Sequence, residues 1–330
     1  MSVTMRDVAR KAGVSIKTVS RVVNNQGEIS EATHQRVLAV IDELGYRPNR
    51  IAQALVTQRT HTIGLVIPDI TNPFFSEMTR SVHGFARAKD YNVFLCSSDE
   101  DPQEALQALH SLAAQGVDGI ILFAYRAGDD SLKAFADSYR PIVLINRFFE
   151  HPNVSLIMVD NYRGARLAVD YLIDQGHTAI GMLSGMYPSL NKIRRVKGFR
   201  DALVARGLSV VDDWILPGLP ILDHGYESAR RVLTQHPQIT AIFAYNDLLA
   251  LGAIRACNEL GRRVPADCAI IGFDDVCLAA MVSPALTTIH VDKHNLGQQA
   301  MTRLLAMLDE PEVTFPPIYL DVELVIRESA

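Results

Sequence analysis

From Thr62 onward the chain alternates unbroken apolar runs with stretches whose apolar residues recur at helical spacing. The runs I-G-L-V-I-P, N-V-F-L-C-S, G-I-I-L-F and P-I-V-L-I-N are separated by predicted helices over Phe74–Lys89, Pro102–Gln115 and Ser131–Ser138. Short strands without polar alternation belong in a parallel sheet covered on both faces, and the intervening helices supply the cover. The series then restarts, with helices over 163–175, Ile193–Arg206, Tyr226–Gln235 and Leu248–Leu260 and strands A-I-G-M-L-S, A-I-F-A-Y and C-A-I-I-G-F. Segments around Ile157–Asn161 and Thr288–Lys293, and the last strand V-E-L-V-I-R, predict crossovers between the two series, so that His294–Leu308 returns as a helix to the first. The pattern is that of an α/β fold with two doubly wound parallel sheets, in which ligands sit in the crevice at the carboxyl ends of the strands.

The first 60 residues are helical in pattern throughout. Thr4 with Asp7 three residues on is a capping-box start, and Val8, Ala9 and Ala12 share one face. Gly13 allows a sharp turn, Val14 plugs it, and Ser15 caps a second helix that turns Val19, Val22 and Val23 inward. The outer face of that helix carries Ile16, Lys17, Ser20 and Arg21, placed as on a helix that reads base edges in the major groove, with Arg21 the strongest reader. Val37, Leu38, Ile41 and Leu44 give a third helix ending at Gly45. Pro48 stops that element, Asn49 can cap, and Arg50–Leu55 forms one or two helical turns that are unstable alone.

Charge sharpens this division. Residues 1–60 hold nine Lys/Arg against five Asp/Glu, a balance of +4 inside a chain whose total is −5, so the N-terminal end faces a polyanion. At 330 residues and 48% hydrophobic, the chain has the composition of a soluble protein of two or three domains. Cys96, Cys257, Cys268 and Cys277 lie in apolar segments without a C-x-x-C, which predicts buried free thiols in a reducing compartment. No signal-peptide core and no apolar run long enough to cross a bilayer is visible, so a cytoplasmic location is expected.

The string D-V-A-R-K-A-G-V-S-x-x-T-V-S-R-V-V-N resembles the DNA-binding headpiece of the lactose-repressor (LacI/GalR) family, and nearly the whole chain fits that family. The resemblance implies a helix-turn-helix headpiece over 1–47, a hinge helix and linker over 48–60, and a ligand-binding and dimerisation domain over 61–330. That domain is a periplasmic-binding-protein-like clamp, one half from about 61–160 and 292–320 and the other from about 161–291 and 321–330. R-P-N-x-x-A-x-x-L is similar to the family's hinge helix, and Leu55 to the leucine that wedges into the minor groove. The candidate DNA contacts thereby extend to Thr4, Ser15, Thr18, Asn24, Asn49 and Leu55, while His34 departs from an arginine common in relatives. The implied partners are double-stranded operator DNA, a second copy of the chain and a small effector, a sugar or sugar phosphate, with no cofactor and no membrane. No leucine heptads precede Ala330, so a dimer without a tetramerising tail is expected.

Polar residues recur where the predicted strands end. Asn72–Phe75 follows the first run, Asn146 and Arg147 the fourth, Asn246 and Asp247 follow A-I-F-A-Y, and Asp274 and Asp275 follow I-I-G-F. Each alone also fits a helix cap or an ordinary core position, and the recurrence is what points to a ligand. By resemblance the ligand-binding set is Phe75, Asn146, Arg147, Arg195, Asn246 and Asp274, with Arg195 opposite Asp274. G-x-x-x-x-G-K-[ST], G-x-S-x-G and H-E-x-x-H are all absent, and no G-x-G-x-x-G follows a strand. His290 and His294 lack a third ligand, and Asp274 and Asp275 point apart, so neither a metal site nor paired acid/base catalysis is expected. The expectation is a ligand-responsive transcription regulator, most simply a repressor of a carbohydrate-utilisation operon, and not an enzyme. A solute-binding protein of periplasmic type would need an export signal, and a sugar-modifying enzyme would need the missing catalytic motifs.

Overall fold

In the computed structural model, which describes residues 3–23, 27, 29–46, 59–123 and 128–330, the Thr4 N–H and hydroxyl donate to the Asp7 carboxylate at 3.0 and 2.7 Å. That cap starts helix α1 (Met5–Ala12), which Gly13 ends in the left-handed region at φ +67°. Ser15 Oγ then accepts the Thr18 N–H at 3.1 Å and opens α2 (Ile16–Val23). A third helix, α3 (Glu31–Leu44), closes at Gly45. Val8, Ala9, Ala12, Val19, Val22, Val37, Val40 and Tyr46 form the core of this first compact unit, Met1–His61, and Val14 is only half-buried against it. Leu38, expected to face inward, is 40% exposed. The inward stripe is Val37, Val40, Ile41 and Leu44, the i, i+3, i+4, i+7 series, which Leu38 leaves by one position. The candidates Asn24, Asn49 and Leu55, and the hinge segment Arg50–Leu55, lie outside the described residues.

The second unit, Thr62–Ala330, contains two six-stranded sheets. Strands β1 (Thr62–Ile67), β2 (Asn92–Ser97), β3 (Gly119–Phe123), β4 (Ile142–Ile145) and β5 (Val154–Val159) alternate with helices α4 (Pro73–Arg87), α5 (Pro102–Ala114) and α6 (Asp129–Ser138). The chain then crosses into α7 (Asn161–Asp174), β6 (Ile180–Gly185), α8 (Leu190–Ala205), β7 (Ile215–Gly218), α9 (Leu222–Gln235), β8 (Ala241–Ala244), α10 (Asp247–Glu259), β9 (Ala269–Asp274) and β10 (Thr287–His290). It returns through α11 (Lys293–Asp309) and β11 (Ile318–Leu320), and ends with β12 (Glu323–Val325). The strand orders are β2-β1-β3-β4-β5-β11 and β7-β6-β8-β9-β10-β12, and every pairing is parallel except β10 with β12. In each sheet the first strand is flanked by the second and the third, so successive connections leave on opposite sides and open a crevice at the carboxyl ends.

Three crossovers join the halves, and each is shorter than the sequence pattern suggests. Ile157–Val159 belongs to β5, so the first crossover begins at Asp160, whose N–H donates to Leu320 O at 3.0 Å. Thr288–His290 belongs to β10, which leaves Val291–Asp292 as the second, and Asp321–Val322 joins β11 to β12 as the third. The strand β7 carries Pro217 at the edge of its sheet, where a missing N–H is tolerated. β2 is also an edge strand and is not buried on both faces: Phe94 is 46% exposed. Only Cys257 and Cys268 are buried thiols; Cys96 is half-buried and Cys277 exposed, because it lies in a short turn, Cys277–Ala280, beyond the end of β9. Among the described residues, no helix is long and apolar enough to cross a membrane.

The helices α9 and α10 touch backbone to backbone. A Cβ at Gly252 would lie 2.2 Å from Leu222 O and 2.4 Å from Tyr226 N, and one at Gly225 would lie 2.4 Å from Leu249 O. Gly252→Ala is therefore expected to push the two helices apart and to cost about 1–3 kcal/mol. Urea unfolding checks this; unchanged stability would mean that the crossing relaxes freely.

Candidate functional site: a cleft between two sheets

The cleft is built at strand ends from both sheets of the second unit and spans about 420 Å³ of space, part of it open to solvent. After β1, the Asn72 side chain accepts the Phe74 N–H at 3.0 Å and so caps α4, with Pro73 in its first turn. This cap fixes Phe74 and Phe75 against Phe123, the last residue of β3. The ring centroids are 5.3, 5.7 and 4.9 Å apart, all edge to face. After β4, Asn146 sits at φ +58° while its side-chain oxygen accepts the Val159 N–H at 2.9 Å. That bond ties the end of β4 to the end of β5.

The other sheet supplies the charge. Arg195, on α8 and 4% exposed, donates from Nε to Asn161 Oδ1 at 2.7 Å, from one terminal nitrogen to Tyr245 O, and from the other to Asp274 Oδ1 at 3.3 Å. Its guanidinium carbon lies 3.5 Å from the centre of the Phe273 ring and 4.6 Å from that of Tyr245. Asp274 is 7% exposed, and burial pushes its carboxyl up to about 6 against the pull of Arg195 and Lys293. Its backbone is at φ +110° and that of Asp275 at +52°, a conformation a non-glycine residue keeps only when its surroundings hold it. Lys293, at the start of α11, supplies the hold: Nζ donates to the carbonyls of Asp274 and Asp275, each at 2.7 Å. Glu77 on α4 reaches the same turn, accepting the Cys277 N–H at 2.9 Å and lying 3.6 Å from Lys293 Nζ. Asp275 turns away to His290 and Arg327, at 2.8 and 2.7 Å.

Below the cleft floor Asp247 is 1% exposed. It accepts the Val276 N–H at 2.8 Å and the Thr288 hydroxyl, and is ion-paired with none of the described residues. Burial, then the neighbouring Asp274 charge, pushes its carboxyl well above the ordinary range. His290 bonds Asp275 and the His294 ring packs 5.1 Å from that of Phe85; among the described residues no cluster of His, Cys, Asp and Glu is placed to hold a metal ion.

Five of the six ligand candidates, Phe75, Asn146, Arg195, Asn246 and Asp274, line this one cleft. Arg147 does not; its guanidinium pairs with Asp129 at the start of α6. Sequence reasoning missed Glu100, Phe123, Asn191, Pro220 and Tyr245 in the lining, and Asn161, Lys293 and Glu77 in the support. Phe123 and Tyr245 were findable, since they end or follow predicted strands as Asn146 and Asn246 do. Asn191 and Glu77 carry no local signal, because only the folded α8 and α4 bring them to the cleft.

In the first unit, Ile16, Lys17 and Arg21 stand exposed on α2 opposite the buried Val19 and Val22, while Ser20 and Thr18 are half-buried. The Thr18 hydroxyl lies 2.9 Å from Ser15 Oγ, and Thr4 is held by Asp7. Lys11 pairs with Glu43 at 2.6 Å and Arg10 with Asp7.

A family model described as bacterial regulatory proteins, lacI family, matches residues 4–49, and one described as periplasmic binding proteins and sugar binding domain of LacI family matches 60–322. The chain is 36% identical over 330 residues to catabolite control protein A of Priestia megaterium, covering 100% of this chain and 99% of the relative. It is also 36% identical over 329 residues to the HTH-type transcriptional repressor PurR of Mannheimia succiniciproducens, covering 99% and 98%. Among solved structures, that of the lac repressor dimer bound to operator and the anti-inducer ONPF aligns with a TM-score of 0.88 and 30% identity, covering 100% of this chain and 99% of that one.

Asp247→Asn keeps both hydrogen bonds, since the Thr288 hydroxyl can turn to accept, and removes the buried ionisable group. A carboxyl whose folded-state pKa is raised favours folding below its ordinary pKa and loses that contribution as pH rises through the folded value. The variant is therefore expected to melt a few degrees above the parent at pH 8, at about 2–4 °C per kcal/mol, with the gain shrinking toward pH 4. A melting difference independent of pH would show that Asp247 does not carry this cost.

Proposed function

This chain belongs to the LacI family of bacterial regulatory proteins, and we propose that it is a repressor that binds operator DNA as a homodimer and releases or grips it according to a small molecule in the cleft. The observation that carries the ligand half is the convergence of Phe75, Asn146, Arg195, Asn246 and Asp274, from five different strand ends and helices of both sheets, on one cavity. A ligand bonded to both sheets favours the closed clamp over the open one, and an equilibrium moves only by such differential binding. The effector is a sugar or sugar phosphate, in keeping with the sugar-binding description of the matched family.

The DNA half rests on α2. Arg21 is assigned to a guanine edge, Ile16, Lys17 and Ser20 to neighbouring bases or phosphates, and Ser15, Thr18, Thr4 and Asn24 to the backbone that fixes register. Two copies related by a two-fold axis read the two halves of a near-palindromic site, and Asn49 and Leu55 belong to the hinge that enters the minor groove between them. We assign residues 1–47 to the headpiece, 48–60 to the hinge and 61–330 to the clamp, and place the protein with its DNA in the cytoplasm. Catalysis has no part in this reading: Asp274 is committed to Arg195, and Asp247 to Thr288 and Val276.

Selection of DNA from a random pool by the purified protein tests the proposal and is expected to return a near-palindromic site. Arg21→Ala should weaken binding to that site by about 1–3 kcal/mol and relax one position in each half. No preferred sequence, or unchanged affinity for Arg21→Ala, would remove α2 as the reader. Asp274→Ala should retain ligand-free operator binding and lose the response to effector; loss of operator binding in a folded dimer would make Asp274 a support and not a sensor.

A further inference from the structure

We infer that Cys257 and Cys268 form an oxidation site, a buried dithiol that a small hydroperoxide converts to a disulfide without any part played by the cleft. The two residues come from different elements, Cys257 from near the end of α10 and Cys268 from just before β9. The backbone brings them together in two steps. The Arg262 N–H donates to Cys257 O at 2.8 Å, and the Cys268 N–H donates to the carbonyl of the next residue, Arg263, at 3.2 Å. Both side chains then enter one core cluster with Ile254 and Ile270, where the Cys268 thiol donates to the sulfur of Cys257. Asp267 holds the segment between them: its carboxylate accepts the Arg263 backbone N–H at 2.8 Å and two guanidinium N–H groups at 2.8 and 2.7 Å. Both cysteines are free thiols in this structure.

The surroundings give the two sulfurs different roles. The Arg262 guanidinium donates to the carbonyls of Ile239, Leu233 and Pro237, at 2.8, 3.3 and 2.9 Å, which pins its charge beside the pair. The hydrogen bond from Cys268, and after it the charge of Arg262, draws the Cys257 thiol below its usual range against the effect of burial. The same contact, together with burial, pushes Cys268 up. Cys257 is therefore the attacking sulfur and Cys268 the resolving one. The Cys257 thiolate attacks one oxygen of hydrogen peroxide; the S–O bond forms, the O–O bond breaks, and the departing hydroxide takes a proton and leaves as water. Cys268 then gives up its proton and attacks the Cys257 sulfenic acid; the S–S bond forms, the S–O bond breaks, and a second water leaves. Two thiols lose two electrons and one peroxide gains them. Both cysteines are fully buried, yet the segment that covers them is itself at the surface, with residues 258–261, Arg263, Pro265 and Ala266 exposed. A small displacement of that segment admits a molecule the size of hydrogen peroxide. In a reducing compartment the bond is transient, made by oxidant and undone by thiols, as sensing disulfides are. It joins the end of α10 to the start of β9, whose opposite ends bring Asn246 and Asp274 to the cleft.

Peptide mass spectrometry of the full-length protein, treated with hydrogen peroxide while folded and then alkylated in denaturant, tests the inference. Trypsin cuts after Arg262 and Arg263, so the two cysteines fall in separate peptides that only a disulfide joins. Cys277 shares the Cys268 peptide and is exposed, so Cys277→Ser is the working background. The joined peptides should appear, lighter by two hydrogens than their sum, and should separate again with dithiothreitol. In that background Cys268→Ala should stop at a Cys257 sulfenic acid that dimedone captures, and Cys257→Ala should leave Cys268 a thiol. Amide exchange over residues 258–267 should slow several-fold on oxidation. Full alkylation of both cysteines after excess peroxide, or a bond from either to Cys96, would overturn the site. Faster exchange in the oxidised protein would show that the bond forms only after local unfolding, and would overturn the folded dithiol. A sulfenic acid on Cys268 in Cys257→Ala would overturn the choice of attacking sulfur. The peroxide and exchange measurements need no substitution in the core, so they decide the matter even if the alanine variants do not fold.

Discussion

A carboxylate sealed at the end of a strand has to be satisfied by its neighbours, and Asp274 draws those neighbours from both halves of the clamp. Arg195 meets its side chain from α8, on the same half. Lys293 meets its backbone carbonyl from α11, which has already crossed to the other half, and Glu77 on α4 braces both Lys293 and the turn that follows. Removing one partner of a buried pair leaves an uncompensated charge, at a cost of about 3–5 kcal/mol, so the arrangement is tightly determined. The unusual backbone of Asp274 and Asp275 is held by the same lysine.

This geometry explains how a ligand acts at a distance. Asp274 is both a wall of the cleft and a link between the sheets, so a molecule that bonds to it changes the balance of contacts that decides how the halves sit. Three short crossovers join the halves, and a few connecting residues between two intact sheets are the usual structural form of a clamp that closes about a hinge.

Much of this was legible in the sequence for identifiable reasons. Apolar runs such as I-G-L-V-I-P and G-I-I-L-F exposed the parallel sheets, and the strand-end rule found Asn146, Asn246 and Asp274. β5 and β10 were hidden inside expected crossovers, because Ile157–Val159 and Thr288–His290 sit next to the true crossing points and periodicity does not mark where pairing stops. Leu38 was misplaced because adjacent apolar residues on a helix differ by about 100° and only one of them fits the stripe. Arg147 follows β4 directly after Asn146, and in the fold its guanidinium pairs with Asp129 at the start of α6, a contact that its place at a strand end does not reveal. Lys293 and Glu77 were invisible because their partners are backbone groups of residues 274–277, far away in the chain.

The central claim is that the cleft and the operator bias one equilibrium. Its most direct test is to measure operator affinity with and without the sugar that binds the cleft most tightly, and that sugar's affinity with and without operator. The account predicts the same factor in both directions, on the order of 5–150-fold. A factor of one in both would mean that the cleft binds its ligand without any influence on DNA, and would contradict the account.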